Sequence, residues 1–240
     1  MIEEYNFNYI KGLEIVIIYG SMARNEADNN SDIDIFALVE DSLTEFEKEK
    51  VIDKICSLIS SKEVNVSLYT KEVFNKMSKD GSLFLWHLKK EGKYLFNKNN
   101  EDIFINLANF DAYQKNMELY RDLFNSVQES FDENGINSYD LSMLFFLCRN
   151  MSILTCFRIG KPNFGRYSAY ETLIKYLNYE PISYLDFIYL SKWRIDYTRG
   201  IEEELVYPTR DELIKIIKKI SILFDVCENI INSEGKNEKY

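Results

Sequence analysis

The chain changes its pattern of apolar and polar positions near residue 98. Before that point the apolar runs are short and rich in β-branched residues: Ile15 to Tyr19, then Ile33 with Ile35 to Val39, then Val64 to Tyr69, then Lys93-Tyr94-Leu95-Phe96. Short apolar runs bounded by polar residues predict strands. Between the second and third runs, Leu43, Phe46, Val51, Ile52, Ile55, Leu58 and Ile59 recur at helical spacing with Lys and Glu opposite. A helix over 42–59 follows, capped by Ser42 with Glu45 completing a capping box. A helix that carries the chain from one strand to the next is α/β connectivity. Thr70 opens a further helix, and Ser82 to Lys90 is apolar on one side before Glu91-Gly92 ends it.

The polar tract Asn97-Lys98-Asn99-Asn100-Glu101-Asp102 breaks this pattern and reads as a linker. From Ile103 onward helical spacing dominates, over 111–134, 138–159, 168–179, 181–198 and 210–232, with Pro162 and Pro208 in the connections. The expected architecture is an α/β (α+β) domain with a mixed sheet over 1–98, followed by an all-α helical bundle over 103–240. The polar tail 234–240 is expected to fray.

Composition narrows the partners. A chain of 240 residues with 46% hydrophobic content has the material for one large core or two modest ones. No charged start followed by a short apolar segment marks a signal peptide, and no apolar run approaches the length of a membrane span, so the cytoplasm is the expected location. Cys56, Cys148, Cys156 and Cys227 lack metal-ligand spacing, and with a single histidine they do not predict a zinc site. Twenty-nine basic against thirty-nine acidic residues give a net charge of −10, which repels a polyanion and suits a cationic small molecule. The 17 tyrosines and 16 phenylalanines are enough to line a stacking pocket for a base as well as a core.

The candidate chemistry lies between the first two strands. The segment Tyr19-Gly20-Ser21-Met22-Ala23-Arg24-Asn25-Glu26-Ala27-Asp28-Asn29-Asn30-Ser31-Asp32-Ile33-Asp34 sets a Gly-Ser turn and an Asp-x-Asp pair between apolar runs. Gly20 lets the backbone approach a ligand that a Cβ would exclude, and Ser21 offers a hydroxyl and an amide to a phosphate oxygen. A helix starting at Ser21 adds free N–H groups to an anion site. Asp32 and Asp34, two apart on a strand, leave the same face and can share a hard cation while Ile33 turns to the core. Mg²⁺ suits such a pair, because it takes one or two carboxylates and completes its octahedron with water and phosphate oxygens.

The string Gly-Ser-x-Ala-Arg-x-x-Ala-x-x-x-Ser-Asp-Ile-Asp resembles the signature of the minimal nucleotidyltransferases of the DNA polymerase β-like superfamily, over about residues 10–98. The resemblance implies that Gly20 and Ser21 hold the triphosphate of an NTP such as ATP and that Asp32 and Asp34 hold Mg²⁺. Arg24 matches the family's basic position, with a phosphate-side role and a structural role both open. Asn25 stands where the family usually has Gly, and Asn tolerates positive φ better than most residues. The family's third carboxylate, which completes the metal site or acts as base, falls on Asn65. Asn can ligate a metal through its carbonyl but takes no proton. Glu63 shares the face of Asn65 and is the nearest substitute, or simply a solvated residue at the strand start.

The sole histidine, His87, reads as a helix histidine, because no carboxylate partner follows it at suitable spacing. The bundle resembles those of kanamycin-type antibiotic nucleotidyltransferases and of the HEPN family, a likeness of architecture. The Arg-x4–6-His motif of HEPN ribonucleases is absent, which argues against RNA cleavage. Within the bundle, Arg149-Asn150, the loop 160–167, Glu171, Arg194 and Arg199 are more polar than packing needs. Lys161 or Arg194 is a candidate for phosphate and Glu171 for the missing base, against surface ion pairing for each. The expectation is a Mg²⁺-dependent nucleotidyltransferase that moves NMP from an NTP to a hydroxyl of a small, aminoglycoside-like acceptor. Transfer to a protein or tRNA, as in toxin–antitoxin relatives, and a catalytically weak nucleotide-binding or antitoxin module are the alternatives. A homodimer is left open, and no membrane partner is expected.

Overall fold

A computed structural model describes residues 6–27, 31–59, 63–200 and 205–233. The chain divides into two compact units, Met1–Asp111 and Ala112–Tyr240. The expected fraying of 234–240 lies outside the described residues.

The first unit is built on a four-stranded sheet in the order β3-β2-β1-β4. Its strands are β1 (Leu13–Tyr19), β2 (Ile33–Val39), β3 (Val64–Thr70) and β4 (Lys93–Asn97). β1 runs antiparallel to both β2 and β4, and β2 runs parallel to β3, so the sheet is mixed. Helix α1 (Gly20–Arg24) leaves the end of β1, and α2 (Glu45–Leu58) makes the parallel crossover from β2 to β3. Helices α3 (Lys71–Lys79) and α4 (Leu83–Glu91) fill the return to β4.

Alternation along the strands divides the core. Val16, Ile18, Ile33, Ile35, Ala37 and Val39 bury one face beneath Val51, Ile55 and Ile59 of the α2 segment. Ile15, Ile17, Phe36 and Leu38 bury the other against Phe74 of α3, Leu85 and Leu88 of α4, and Phe104. A bulge between Leu13 and Ile15 breaks the alternation, which puts Leu13 with the α2 face. Glu14 at the bulge is buried, and Lys98 (2.7 Å) and Lys71 (3.0 Å) pair with it.

The cap of α2 lies two residues beyond the expected one. Thr44, not Ser42, accepts from the Glu47 N–H, and the Glu47 carboxylate accepts from the Thr44 N–H. Ser42 and Thr44 both begin a Ser/Thr-x-x-Glu string, and burial of Leu43 in the core delays the helix to the second. Thr70 caps α3 as its sequence predicts. Residues just after the polar tract belong to the first unit, since Phe104 is buried against the sheet and the Trp86 indole donates to the Ala108 carbonyl. The expected start of the bundle at Ile103 is therefore replaced by a division at Asp111/Ala112.

The second unit is helical throughout its described elements: α5 (Tyr113–Asn134), α6 (Ser138–Arg158), α7 (Ser168–Leu177), α8 (Tyr184–Arg199) and α9 (Arg210–Ser233). Helix α6 packs against each of the other helices of the unit. It corrects the expectation that no run is long and apolar enough to cross a membrane: an 18-residue stretch of this 21-residue helix reaches a mean hydropathy of 1.3. Burial accounts for that apolarity, because 72% of the apolar stretch lies inside the protein. Phe187 stacks on Tyr170 (4.5 Å) and meets Phe145 at a tilt (5.1 Å), which packs α8 against α7 and α6.

Candidate active site

The register of β1 on β2 brings the motif together. Tyr19, the last residue of β1, lies opposite Asp34, the second residue of β2. Gly20 then turns the chain out of the sheet at φ +72°, and a Cβ there would overlap the Asp34 Oδ2 atom. Only glycine leaves that carboxylate room. Ser21 stands in the first turn of α1, half-buried. The Tyr19 side chain makes no capping hydrogen bond to that turn. Asn25 ends α1 at φ 59°, the left-handed conformation that a glycine would take, so this departure from the family string preserves the turn.

Asp32 and Asp34 are half-exposed, on the sheet face that Phe36 and Leu38 continue as core, and Ile33 between them is buried on the opposite face. Asn65 of β3 is the register partner of Asp34. Its Nδ2 donates to Asp32 Oδ2 at 2.5 Å. Asn65 thus meets Asp32 as a hydrogen-bond donor in this arrangement. Glu63 stays exposed, and its carbonyl accepts the Ile33 N–H at 2.8 Å.

Tyr19 is a site residue that sequence reasoning passed over. Its hydroxyl reaches across β2 to Ser67 Oγ at 3.2 Å, and its ring meets Phe84 (5.6 Å) and His87 (5.5 Å) edge-on. Burial, and then the charges of Asp34 and Asp32, push the phenol up despite the Ser67 bond. It stays neutral and forms a floor beside the acids. The available signal was an aromatic residue at a strand end directly before Gly-Ser.

Arg24 is ion-paired within the first unit. Its Nε donates to Glu26 and its Nη1 to Glu91, each at 2.7 Å, and the Arg24 and Glu91 side chains are only 15% and 14% exposed. The His87 Nε2 lies 3.1 Å from the same Glu91 oxygen. His87 therefore has the carboxylate partner that its sequence neighbourhood was thought to lack, at i+4 on α4. Burial raises the Glu91 pKa, but the hydrogen bonds from His87 and Arg24 outweigh it and hold the carboxyl below the usual carboxylate range. This cluster ties the Gly-Ser turn to α4.

The polar residues of the second unit have packing roles there. Arg149 donates to the Phe164 carbonyl at 2.7 Å, and Lys161 lies 5.4 Å over the Tyr176 ring. Arg194 donates to Ser142 Oγ at 3.2 Å and lies 5.5 Å over the Phe146 ring. Glu171 accepts from the Tyr184 hydroxyl at 2.7 Å, which pushes that phenol up to about 12. In the loop, Asn163 accepts from Gly165 and Ser168 and donates to Thr172, so the loop's polarity serves its own turn. The buried thiols of Cys148, Cys156 and Cys227 are pushed up by burial.

Among the described residues no group of three or more His, Cys, Asp or Glu is placed to hold a metal ion. What the site offers a cation is the pair Asp32 and Asp34. The glycine cradle that seats Asp34 and the shared face with Asp32 fit a hard divalent ion with open positions for water and phosphate.

Residues 2–101 match the family described as polymerase beta, nucleotidyltransferase. No curated protein matches the chain. Among solved structures, a spectinomycin adenyltransferase of Enterococcus faecialis, with ATP and spectinomycin, is 14% identical at TM-score 0.46, covering 92% of each chain. A toxin–antitoxin structure with AMP-PNP is 22% identical at TM-score 0.28, over 51% of this chain and 86% of that one. The MntA–HpeT toxin–antitoxin mutant is 18% identical at TM-score 0.28 over the same shares. These superpositions are loose, and the chemistry rests on the family match and the site's own geometry.

Proposed function

We propose that this chain, whose residues 2–101 are a nucleotidyltransferase domain of the polymerase β family, uses that domain to move NMP from an NTP to a hydroxyl of a small polar acceptor. The observation that carries the reading is the Asp34 carboxylate seated against Gly20, with Asp32 beside it on one face of the sheet. In this reading Gly20 and Ser21 grip the triphosphate through the backbone and the serine hydroxyl. Asp32 and Asp34 would hold Mg²⁺, which supplies charge neutralisation to the phosphoryl oxygens when bound. The acceptor oxygen forms its bond to the α-phosphorus in line as the bond to pyrophosphate breaks, and the hydroxyl proton passes to solvent water. Asn65 cannot take the hydroxyl proton, so the reaction rests on positioning and charge neutralisation more than on a base from this face. The net charge of −10 supports a cationic acceptor over a nucleic acid.

The test is incubation with α-labelled ATP, GTP, CTP and UTP, Mg²⁺ and a panel of aminoglycosides, with total protein and tRNA as further acceptors. Transfer that is lost in Asp32→Asn and Asp34→Asn and on chelation supports the proposal. Label on a polypeptide or on tRNA moves the acceptor to that class. Nucleotide binding with no transfer to any acceptor sinks the enzyme reading.

A further inference from the structure

Asn65 places an uncharged side chain beside the two carboxylates. It is the register partner of Asp34 on the neighbouring parallel strand, and its side chain is exposed beside both carboxylates. An amide at this place has a choice that a carboxylate lacks: it can face its neighbours with oxygen or with N–H. Here it faces Asp32 with Nδ2, at 2.5 Å from Oδ2. That bond leaves the carboxylate its charge while engaging one of its oxygens, and an N–H donor has no lone pair for a cation.

The consequence is a site with two fixed negative charges and one restrained carboxylate. Sites that hold two divalent ions place them about 3.5–4 Å apart, where their mutual repulsion must be offset by anionic ligands around and between them. The triphosphate supplies anionic oxygens to an ion held by Asp32 and Asp34, whereas a second ion beside the attacking oxygen needs protein carboxylates of its own, and the Asn65 N–H offers it no ligand. We propose that Asn65 is a positioning residue that fits this site for one divalent cation in place of a pair, by holding Asp32 through its amide N–H. The inference rests on the nucleotidyltransferase reading above and deepens it.

The test counts Mn²⁺ bound per full-length chain, by electron paramagnetic resonance and equilibrium dialysis, at saturating ATP analogue with a non-hydrolysable α,β-bridge. The wild type binds one Mn²⁺, and Asn65→Asp binds two. Asn65→Ala keeps one site but weakens it by about tenfold, the scale of losing a group that orients a metal ligand. Thermal unfolding of each variant separates this from a structural role, which would lower the melting temperature and leave Mn²⁺ affinity unchanged. Two Mn²⁺ in the wild type, or unchanged affinity in Asn65→Ala, overturns the inference while leaving the nucleotidyltransferase reading intact. A wild type that binds neither Mn²⁺ nor the analogue overturns both. The wild-type count decides even if Asn65→Asp fails to fold.

Discussion

Replacing Gly20 by alanine tests the geometry of the site with one methyl group. Two costs follow from the structure, and they fall on different measurements. The first is backbone strain, since an L residue held at φ +72° costs about 1–2 kcal/mol. The second is steric: the new Cβ overlaps Asp34 Oδ2, and reaching ordinary contact requires a retreat of about 1 Å. Displacement of a reacting group on the order of 1 Å costs about 100-fold in rate. A matched control separates the two, because Gly200 also has positive φ, +60°, with no heavy atom within 4 Å of its ideal Cβ. Gly200→Ala is expected to lose about 1 kcal/mol, a few degrees in melting temperature, with nucleotide handling unchanged. Gly20→Ala is expected to lose at least as much stability and, in addition, about 100-fold in transfer, with weaker Mg²⁺-dependent binding of an ATP analogue. Calorimetry for unfolding and titration of the analogue provide both readouts. If Gly20→Ala matches Gly200→Ala in stability and keeps analogue affinity and transfer within about threefold, the cradle has no functional content and the reasoning fails.

Other perturbations probe the supports of the site. Glu91→Gln removes the shared acceptor charge of Arg24 and His87, and with both side chains of the ion pair near 15% exposure the loss at neutral pH is about 1–2 kcal/mol after allowing for residual solvent. Because the Glu91 pKa is lowered in the folded state, its contribution is present above the ordinary value of 4.5 and disappears as pH falls through the folded pKa. Stability titrations below pH 4.5 are therefore expected to slope less steeply in Glu91→Gln than in the wild type. Tyr19→Phe removes the bond to Ser67 while keeping the ring, with an expected loss of about 1 kcal/mol in urea unfolding. Among the thiols, half-buried Cys56 is expected to react with a chromogenic disulfide before the buried Cys148, Cys156 and Cys227, which become reactive only on unfolding. Rapid labelling of all four in the native protein would contradict the buried bundle core.

What the sequence disclosed was whatever local periodicity determines. The runs at β1, β2 and β3 and the helical spacing of α5 to α9 report their own burial, and each element lies within a few residues of its expected span. Features that depend on a distant partner were not legible. Helix α2 could begin at either of two equivalent capping strings, and only the core position of Leu43 chooses between them. Phe104 reads as the start of a helical bundle until the sheet beneath it is known. His87 and Glu91 carry a helical i, i+4 spacing, yet Arg24, far away in sequence, is what makes that pair a tether for the phosphate turn.

The site divides along the same line, and its spacing shows why. In an antiparallel pair, Tyr19 opposite Asp34 means that the residue following the first strand must leave the sheet directly beside the acid. Gly20 and Asp34 are thus a single structural statement made at two places in the sequence. That is why the Gly-Ser and Asp-x-Asp elements, each weak alone, can be read jointly from the string. Asn65 shows where such reading ends. Alternation and parallel register determine that it stands next to Asp34, but both orientations of its amide satisfy them. Whether it acts as cation ligand or as donor to Asp32 turns on a rotation about one side-chain bond. Neither orientation supplies the charge of a carboxylate, so the proposed single-cation site rests on the missing acid as well as on that contact, and the count of Mn²⁺ per chain tests the two together.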